Sequence, residues 1–220
     1  MKQEMQARRQ FVKLLVGIFA AMTGFFSPFV SGLRLAWAKV KKVILPKGTP
    51  MNTLVRKNPA DLNPQNLDLT PMEEFGTMGL DNHRVDITKW RLEVSGRVRR
   101  PVQLTYSQLT EISPVQRDVL LICPGFFAYY ARWKGISVAK LLDMAEVSPD
   151  ITHVSFSGPA GRSEKTERFP IEDIRSGKVF LAYNVNDKVL PEKHGFPLRV
   201  VAEDYYGGDW VKYVHKVIVD

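Results

Sequence analysis

The chain has 220 residues, 45% of them hydrophobic, which is enough for a leader and one sizeable domain. Its net charge of +8 falls to +4 once residues 1–38 are set aside, and the remaining basic residues are scattered, which argues against a nucleic-acid-binding protein. A single cysteine excludes an internal disulfide, a zinc site built from thiolates alone and a covalent haem attachment, since each needs at least two.

Residues 1–38 have the organisation of an export signal. Arg8 and Arg9 precede a long apolar run, and Ala-Trp-Ala at 36–38 supplies a small-residue cleavage site. The arginine pair resembles a twin-arginine-type signal, so we expect the twin-arginine export machinery as a partner and a periplasmic or exported location. The alternative is a retained membrane anchor, since the apolar run 14–33 as a helix would span a bilayer core of about 30 Å.

Prolines recur through residues 39–74, where apolar residues show little periodicity, and this pattern predicts an extended arm over the domain surface without regular structure. The domain itself is predicted over residues 75–220.

Alternating or continuous apolar stretches predict the strands of this domain, and capped stretches with helical spacing predict short helices. Strands are predicted at 90–94, 102–104, 118–122, 152–157, 179–183, 188–190, 198–202 and 211–219. Helical turns are predicted at 105–109, 137–145 and 170–176. The pair Asn186 and Asp187 tolerates the positive φ of a tight turn and predicts a hairpin. Many short strands with few short helices indicate an α+β fold.

The strand predicted at 118–122 ends at Cys123. Its nearly continuous apolar residues are typical of a strand buried on both faces. A lone cysteine is most often a small buried hydrophobic residue. A thiolate is also a soft, anionic ligand suited to a transition metal. The residues alone leave both interpretations of Cys123 open.

A series of six motifs, over residues 75–219, resembles the sulfite oxidase superfamily of molybdopterin-dependent oxidoreductases. The motifs are Trp90-Arg91-Leu92-x-Val94-x-Gly96, the strand ending in Cys123, Ala131-Arg132-Trp133-Lys134-Gly135-Ile136 leading into Leu141-Leu142, Leu181-Ala182-Tyr183, His194-Gly195-Phe196-Pro197-Leu198-Arg199, and Tyr206-Gly207 leading to Val211-Lys212-Tyr213. Each motif alone is weak, and their common order makes the resemblance specific. It implies a sulfite oxidase-type fold of mixed β-sheets and molybdenum-molybdopterin as the cofactor.

In that family the cysteine at this strand end binds molybdenum beside the pterin, so the resemblance implies that Cys123 is the catalytic metal ligand. The pterin carries a phosphate, which requires cations and backbone donors. The implied cofactor contacts are Phe75, Gly76, Thr77, Gly158, His194, Arg199, Trp210, Val211 and Lys212. The alternatives are a solvated surface charge for Arg199 and Lys212 and a turn cap for His194. Lys212 alternates with its neighbours on the predicted last strand, which favours cofactor contact.

The segment after Cys123 bears on the substrate. Sulfite-oxidising relatives place arginines soon after the cysteine, whereas this chain has an aromatic stretch at 126–130. An aromatic rim favours a less charged or partly apolar substrate, with plain core packing as the alternative. Arg117 and Arg132 could still reach the site and hold sulfite. The expected reaction is two-electron oxygen-atom transfer, first as reduction of a sulfoxide-like substrate and second as oxidation of sulfite or another sulfur compound.

The partners are also a matter of expectation. Neither a haem motif nor a flavin fingerprint occurs, so we expect a separate redox partner, either a cytochrome or a membrane haem subunit. The immunoglobulin-like dimerisation domain of sulfite oxidases does not follow residue 220, which predicts a monomer similar to the single-domain periplasmic sulfoxide-reducing members. Two rivals from other classes stay open: a cofactor-free binding domain on the same fold, and a membrane-tethered structural protein.

Overall fold

The structure, a computed structural model, describes residues 41–159 and 165–220. The predicted export signal at 1–38, with its apolar run 14–33, lies outside the described residues. Within the described ranges, no helix has the length and apolar character needed to cross a membrane.

The described residues form twelve strands, three α-helices and five short 3-10 turns. The strands β1 to β12 are Val43–Ile44, Leu62–Asn63, Leu92–Gly96, Val102–Leu104, Val115–Cys123, Phe127–Ser137, His153–Ser157, Thr166–Pro170, Val179–Val185, Lys188–Val189, Arg199–Ala202 and Lys216–Val219. The helices α1 to α3 are Tyr106–Glu111, Val138–Met144 and Ile171–Arg175. The 3-10 turns are Met51–Thr53, Pro59–Asp61, Met72–Glu74, Glu192–His194 and Gly207–Asp209. The expected strand-dominated α+β class is confirmed.

Two five-stranded sheets carry the domain. In one the order is β10-β9-β6-β5, with β11 also paired to β9, and all neighbours are antiparallel. The other has the order β4-β3-β12-β7-β8 and is mixed, because β12 runs parallel to β3 and antiparallel to β7. A main apolar core takes side chains from both sheets.

Two of the three short helices begin at side-chain caps, and the sequence predicts the one at Ser137. The hydroxyl of Thr105 accepts from the backbone of Gln108, whose side chain in turn accepts from the backbone of Thr105, which closes a capping box on α1. Ser137 caps α2 in the simpler way, by accepting from the backbone N–H of Lys140. These local bonds explain why the two helix starts could be predicted from sequence.

The second half of β5, residues 119–123, is buried on both faces, as its composition predicts. Val119, Leu121 and Cys123 belong to the main core, whereas Leu120 and Ile122 point to the opposite face. There they join a second cluster, called here the arm cluster, made of Leu45, Leu54, Leu62, Leu67, Leu120, Ile122, Ala128 and Tyr130. Segment 41–75 therefore covers one face of the β5–β6 hairpin, and its short 3-10 turns and the β1–β2 pair give it more regular structure than its prolines indicated.

The prediction of one strand over 211–219 was wrong. Only Lys216–Val219 is strand, because Tyr213 adopts a positive φ of 56° and turns the chain. The preceding residues lie beside β11 instead, since the backbone of Val200 bonds to that of Val211 and the backbone of Val214 bonds to that of Leu198. The alternation argument for Lys212 therefore does not hold, and its position is set by this turn.

Candidate active site

A cavity of about 420 Å³ opens beside the end of β5. This volume lies within the range of about 300–1,000 Å³ that is usual for small-ligand sites. Its wall comes from the loop 76–80, the hairpin that joins β5 to β6, and the segment 207–213. Residues far apart in sequence thus meet around one concave surface.

Cys123 lies on this wall and is 8% exposed. Its Sγ is 3.8 Å from the Sδ of Met78. Met78 belongs to the loop 76–80, called here the covering loop. The hairpin turn is fixed by a bond from Phe126 N–H to the carbonyl of Cys123 and by one from Gly125 N–H to the carbonyl of Val55. Burial raises the pKa of the Cys123 thiol, and the charge of Lys165 opposes that rise. The thiol therefore faces a cavity and does not sit in a sealed apolar interior.

Arg199 on β11 is a buried cation, 4% exposed. Its guanidinium carbon lies 5.1 Å and 5.4 Å from the ring centroids of Trp133 and Trp210, and Nη1 donates to the carbonyl of His194. Burial lowers its pKa, and no carboxylate among the described residues acts on it. A cation held this way away from water is costly unless an anion comes to it, so the site favours an anionic ligand.

Lys212 ties the covering loop to the domain. Its Nζ donates to Thr77 Oγ1 at 3.0 Å and to the carbonyl of Lys193 at 3.1 Å. Burial and the charge of Arg199 lower the pKa of Lys212 to about 8. The loop can lie this close because residue 76 is glycine: a Cβ there would be 2.2 Å from the ring of Phe127. These contacts hold the loop 76–80 in place as part of the cavity wall.

His194 is both a turn residue and a cavity residue. It ends the 3-10 turn Glu192–His194, and Gly195 follows in the left-handed region with φ 110°. The ring is 1% exposed, and burial, followed by the charges of Arg199, Lys193 and Lys212, lowers its pKa to about 4. The imidazole is therefore neutral near pH 7, and each ring nitrogen can donate or accept according to the tautomer.

The polar lining fits a pterin that carries a phosphate. Three buried nitrogen atoms on the wall, Nε2 of His194, Nε of Arg199 and Nε1 of Trp210, have no hydrogen-bond partner among the described residues. Buried polar groups are nearly always paired, so these atoms point to a missing ligand. The lining includes three cations and, among the described residues, no carboxylate. Donors and positive charge beside a single thiol match the demands of a molybdenum-molybdopterin.

The structure brings most of the sequence-predicted site residues together. Those that line the cavity are Gly76, Thr77, Cys123, His194, Arg199, Trp210 and Lys212. The other three lie just behind the wall. Phe75 stacks on Tyr129 with ring centroids 4.1 Å apart, Gly158 N–H donates to the carbonyl of Lys165, and Val211 is fully buried. Their contact with the cofactor stays a prediction.

Arg117 and Arg132 do not reach the cavity, so that expectation was wrong. Arg117 pairs with Glu203 at 3.0 Å, and Arg132 makes a two-point contact with Asp118. Neither arginine lines the cavity. They lie at the start of β5 and in the middle of β6, several residues from the strand end that carries the thiol.

Several lining residues were missed from the sequence. Lys165 belongs to no motif and precedes β8, and Tyr213 lay within the sixth motif without an assigned role. The aromatic stretch was only partly a rim: Phe127 and Tyr129 line the cavity, while Phe126 is 69% exposed and Tyr130 joins the arm cluster. The alternation of side chains along β6 accounts for this division and was the available signal.

The family described as the oxidoreductase molybdopterin binding domain matches residues 79–220. The chain is 30% identical over 143 residues to the protein-methionine-sulfoxide reductase catalytic subunit MsrP of Gluconobacter oxydans (strain 621H), covering 58% of this chain and 46% of the relative. It is 28% identical over 160 residues to an NADH nitrate reductase of Lotus japonicus, covering 59% of this chain and 18% of the relative. The sulfane dehydrogenase SoxCD from Paracoccus pantotrophus shares the fold, with a TM-score of 0.59 at 22% identity over 69% of this chain and 46% of that one. The chain spans less than half the length of each protein.

Proposed function

Because the chain belongs to the oxidoreductase molybdopterin-binding domain family, we propose that it is the catalytic domain of an exported enzyme that moves one oxygen atom between water and a sulfur compound while two electrons pass between that compound and a separate redox partner. The observation that carries this proposal is the meeting of the lone thiol of Cys123 with the cations of Arg199 and Lys212 on the wall of one cavity. Reduction of a sulfoxide-like substrate is the first assignment.

The cavity wall offers groups suited to the cofactor. The Cys123 thiolate would hold molybdenum, and Arg199, Lys212, His194 and Trp210 would hold the polar edge and phosphate of the pterin. When bound, this cofactor supplies a two-electron redox centre that can exchange an oxygen atom.

The residues around the cofactor site are held by contacts within the protein. Arg199 lies against two indole rings and donates to a backbone carbonyl, and Lys212 is bonded to Thr77 and to the carbonyl of Lys193. Donors that are already fixed stabilise developing charge without reorganising during the reaction. The protein's contribution is therefore orientation and fixed positive charge.

The substrate side of the cavity supports an organic sulfur compound. Met78, Leu121 and Phe127 present apolar surface on the same wall as the thiol. The balanced reaction is sulfoxide plus two electrons and two protons giving sulfide and water, with the electrons supplied by a separate redox protein. The similarity to a methionine sulfoxide reductase subunit supports this direction.

The second assignment is oxidation of sulfite or a related sulfur oxyanion. One observation favours it: Lys165, a third cation, lines the cavity together with the thiol. The balanced reaction is sulfite plus water giving sulfate, two protons and two electrons. The electrons would pass to the same kind of separate partner.

The location and the partners belong to the same proposal. The pattern in residues 1–38 supports export by the twin-arginine machinery to the periplasm or beyond, with anchoring through 14–33 as the alternative. A cytochrome or a membrane haem subunit would be the redox partner, and the protein would act as a monomer. N-terminal sequencing of the exported protein tests the leader, since a start at Lys39 means cleavage and a start at Met1 means retention.

The test of function begins with elemental analysis of protein made in cells that synthesise the cofactor. We expect one molybdenum per chain and a fluorescent pterin after acid release. Viologen-driven turnover of methionine sulfoxide, compared with acceptor-driven turnover of sulfite, then separates the two assignments. Lys140→Met, at an exposed position on α2, is the matched control. Folded protein without molybdenum would overturn the enzyme proposal in favour of a cofactor-free binding domain.

A further inference from the structure

Of the three cations that line the cavity, Lys165 has no structural task like those of the other two. Arg199 is held by the rings of Trp133 and Trp210, and Lys212 is bonded to Thr77. Lys165 lies in the segment between β7 and β8, immediately before β8. Its charge is held by neither of these two kinds of contact, so it can serve a ligand that the other two cations do not hold.

The backbone of Lys165 is fixed although its side chain is not. Gly158 N–H donates to the carbonyl of Lys165 at 2.8 Å, and the next residue, Thr166, shares a hydroxyl hydrogen bond with Ser157 across β7 and β8. The side chain is 39% exposed and pairs with Glu167 at 3.5 Å, itself 35% exposed. Such half-exposed pairs contribute little free energy, so an incoming anion can replace Glu167 as the partner.

Lys165 lines the same cavity as the Cys123 thiol. Apolar side chains of Met78 and Leu121 line that cavity too. A substrate bound beside the thiol therefore meets both a cation and apolar surface within one cavity.

We propose that Lys165 is a specificity-determining residue whose ammonium group binds an anionic oxygen of the substrate, so that the site selects anionic sulfur compounds over neutral ones. The anionic oxygen belongs either to a carboxylate on an organic sulfoxide or to a sulfur oxyanion such as sulfite. This inference rests on the proposed function, because it assumes turnover beside Cys123. The apolar neighbours hold the organic part in the first case and are not needed in the second.

The test compares two substrates that differ in one charge. N-acetylmethionine sulfoxide carries a carboxylate, and its N-methylamide has the same sulfoxide with no charge. In the purified holoenzyme, Lys165→Met should raise the KM for the carboxylate form about tenfold, the factor for losing one charge-assisted hydrogen bond. It should leave kcat, the KM for the amide and the molybdenum content unchanged. Lys165→Arg should stay close to the wild type, and Lys140→Met should change nothing.

A parallel series with sulfite and an artificial acceptor distinguishes the two sources of the anion. If the KM rises only for sulfite, the oxyanion is the ligand; if it rises only for the acetylated sulfoxide, the carboxylate is. Both results support the role of Lys165 in binding an anionic oxygen of the substrate. An equal change for the acid and the amide, no change for any anion, or loss of pterin from Lys165→Met would overturn the inference.

Sulfate binding, followed by calorimetry, separates this inference from the proposed function. Lys165→Met should weaken sulfate binding to the holoenzyme about tenfold, and Lys165→Arg should restore it. If the wild type turns over neither sulfoxides nor sulfite, the proposed function fails, and sulfate binding still decides the role of Lys165. Equal sulfate affinity in the wild type and Lys165→Met would overturn that role.

Discussion

The two faces of β5 bury similar side chains and have different neighbours. Leu120 and Ile122 pack in the arm cluster, whereas Leu121 and Cys123 face the cavity. Burial hardly separates them, since Ile122 is 0% and Cys123 8% exposed. The difference lies in nearby polar atoms: none of the unpartnered buried polar atoms among the described residues belongs to the arm cluster, and several line the cavity. Unpaired polar groups around a buried position, more than burial itself, indicate function at that position.

The sharpest way to test this contrast is Cys123→Ser. We expect activity to fall by roughly a thousandfold or more, because a hydroxyl is a poor ligand for a metal that prefers a thiolate. The unfolding free energy should change by no more than about 1 kcal/mol, since the side chain borders a cavity. Turnover and molybdenum content measure the first effect, and urea unfolding measures the second. Wild-type activity in this variant would end the assignment of Cys123.

On the face of β5 that packs in the arm cluster, a substitution should lower stability and leave the cofactor site intact. Ile122→Ala removes a fully buried side chain from the arm cluster, and we expect the unfolding free energy to fall by about 2–5 kcal/mol. Molybdenum per folded chain should not change. Urea unfolding and elemental analysis of the folded fraction provide the measurements. If folded Ile122→Ala protein lacks molybdenum, the two faces are not independent and the comparison fails.

A third test uses the pH dependence of His194. Its folded-state pKa of about 4 lies below the ordinary value of 6.5, so the unfolded chain binds more protons between these values. The unfolding free energy of the cofactor-free protein should therefore decrease as pH falls from 6.5 to 4, by at most about 3 kcal/mol from this residue. His194→Asn should reduce that pH dependence. Urea unfolding at pH 7 and pH 5 measures it, and parallel curves for both proteins would contradict the prediction.

The smallest effect is expected at the exposed start of β5. Asp118→Asn breaks the two-point contact with Arg132. Both side chains are about one-third exposed, so the unfolding free energy should fall by about 1 kcal/mol or less. The KM for sulfite should stay the same, because Arg132 does not line the cavity. A KM change of severalfold would mean that the freed Arg132 reaches the site.

Features with local causes were predictable from the sequence. The continuous apolar run of β5 and the side-chain caps of α1 and α2 act within a few residues, and each of these elements lies where the sequence indicated. The motif resemblance also led to Cys123, Arg199 and Lys212, which line one cavity.

Features that depend on distant segments were not predictable in this way. The turn at Tyr213 is fixed by a backbone bond to Gly195, so the apolar pattern of 211–219 could not reveal it. Lys165 has the sequence of an ordinary surface lysine, and only the pairing of β7 with β8 and the packing around the cavity bring it to the cavity wall. A charged residue without a motif is visible as a site residue only when its neighbours in space are known.

The covering loop has a consequence for chimaeras of this family. Gly76, Thr77 and Met78 form part of the cavity wall, yet they precede residue 79, where the family match begins. The hairpin that bears the cysteine is also bonded to Val55. A chimaera that takes only residues 79–220 from this chain would therefore lack part of the cavity wall. The transferred segment has to include the covering loop and part of the proline-rich segment before it.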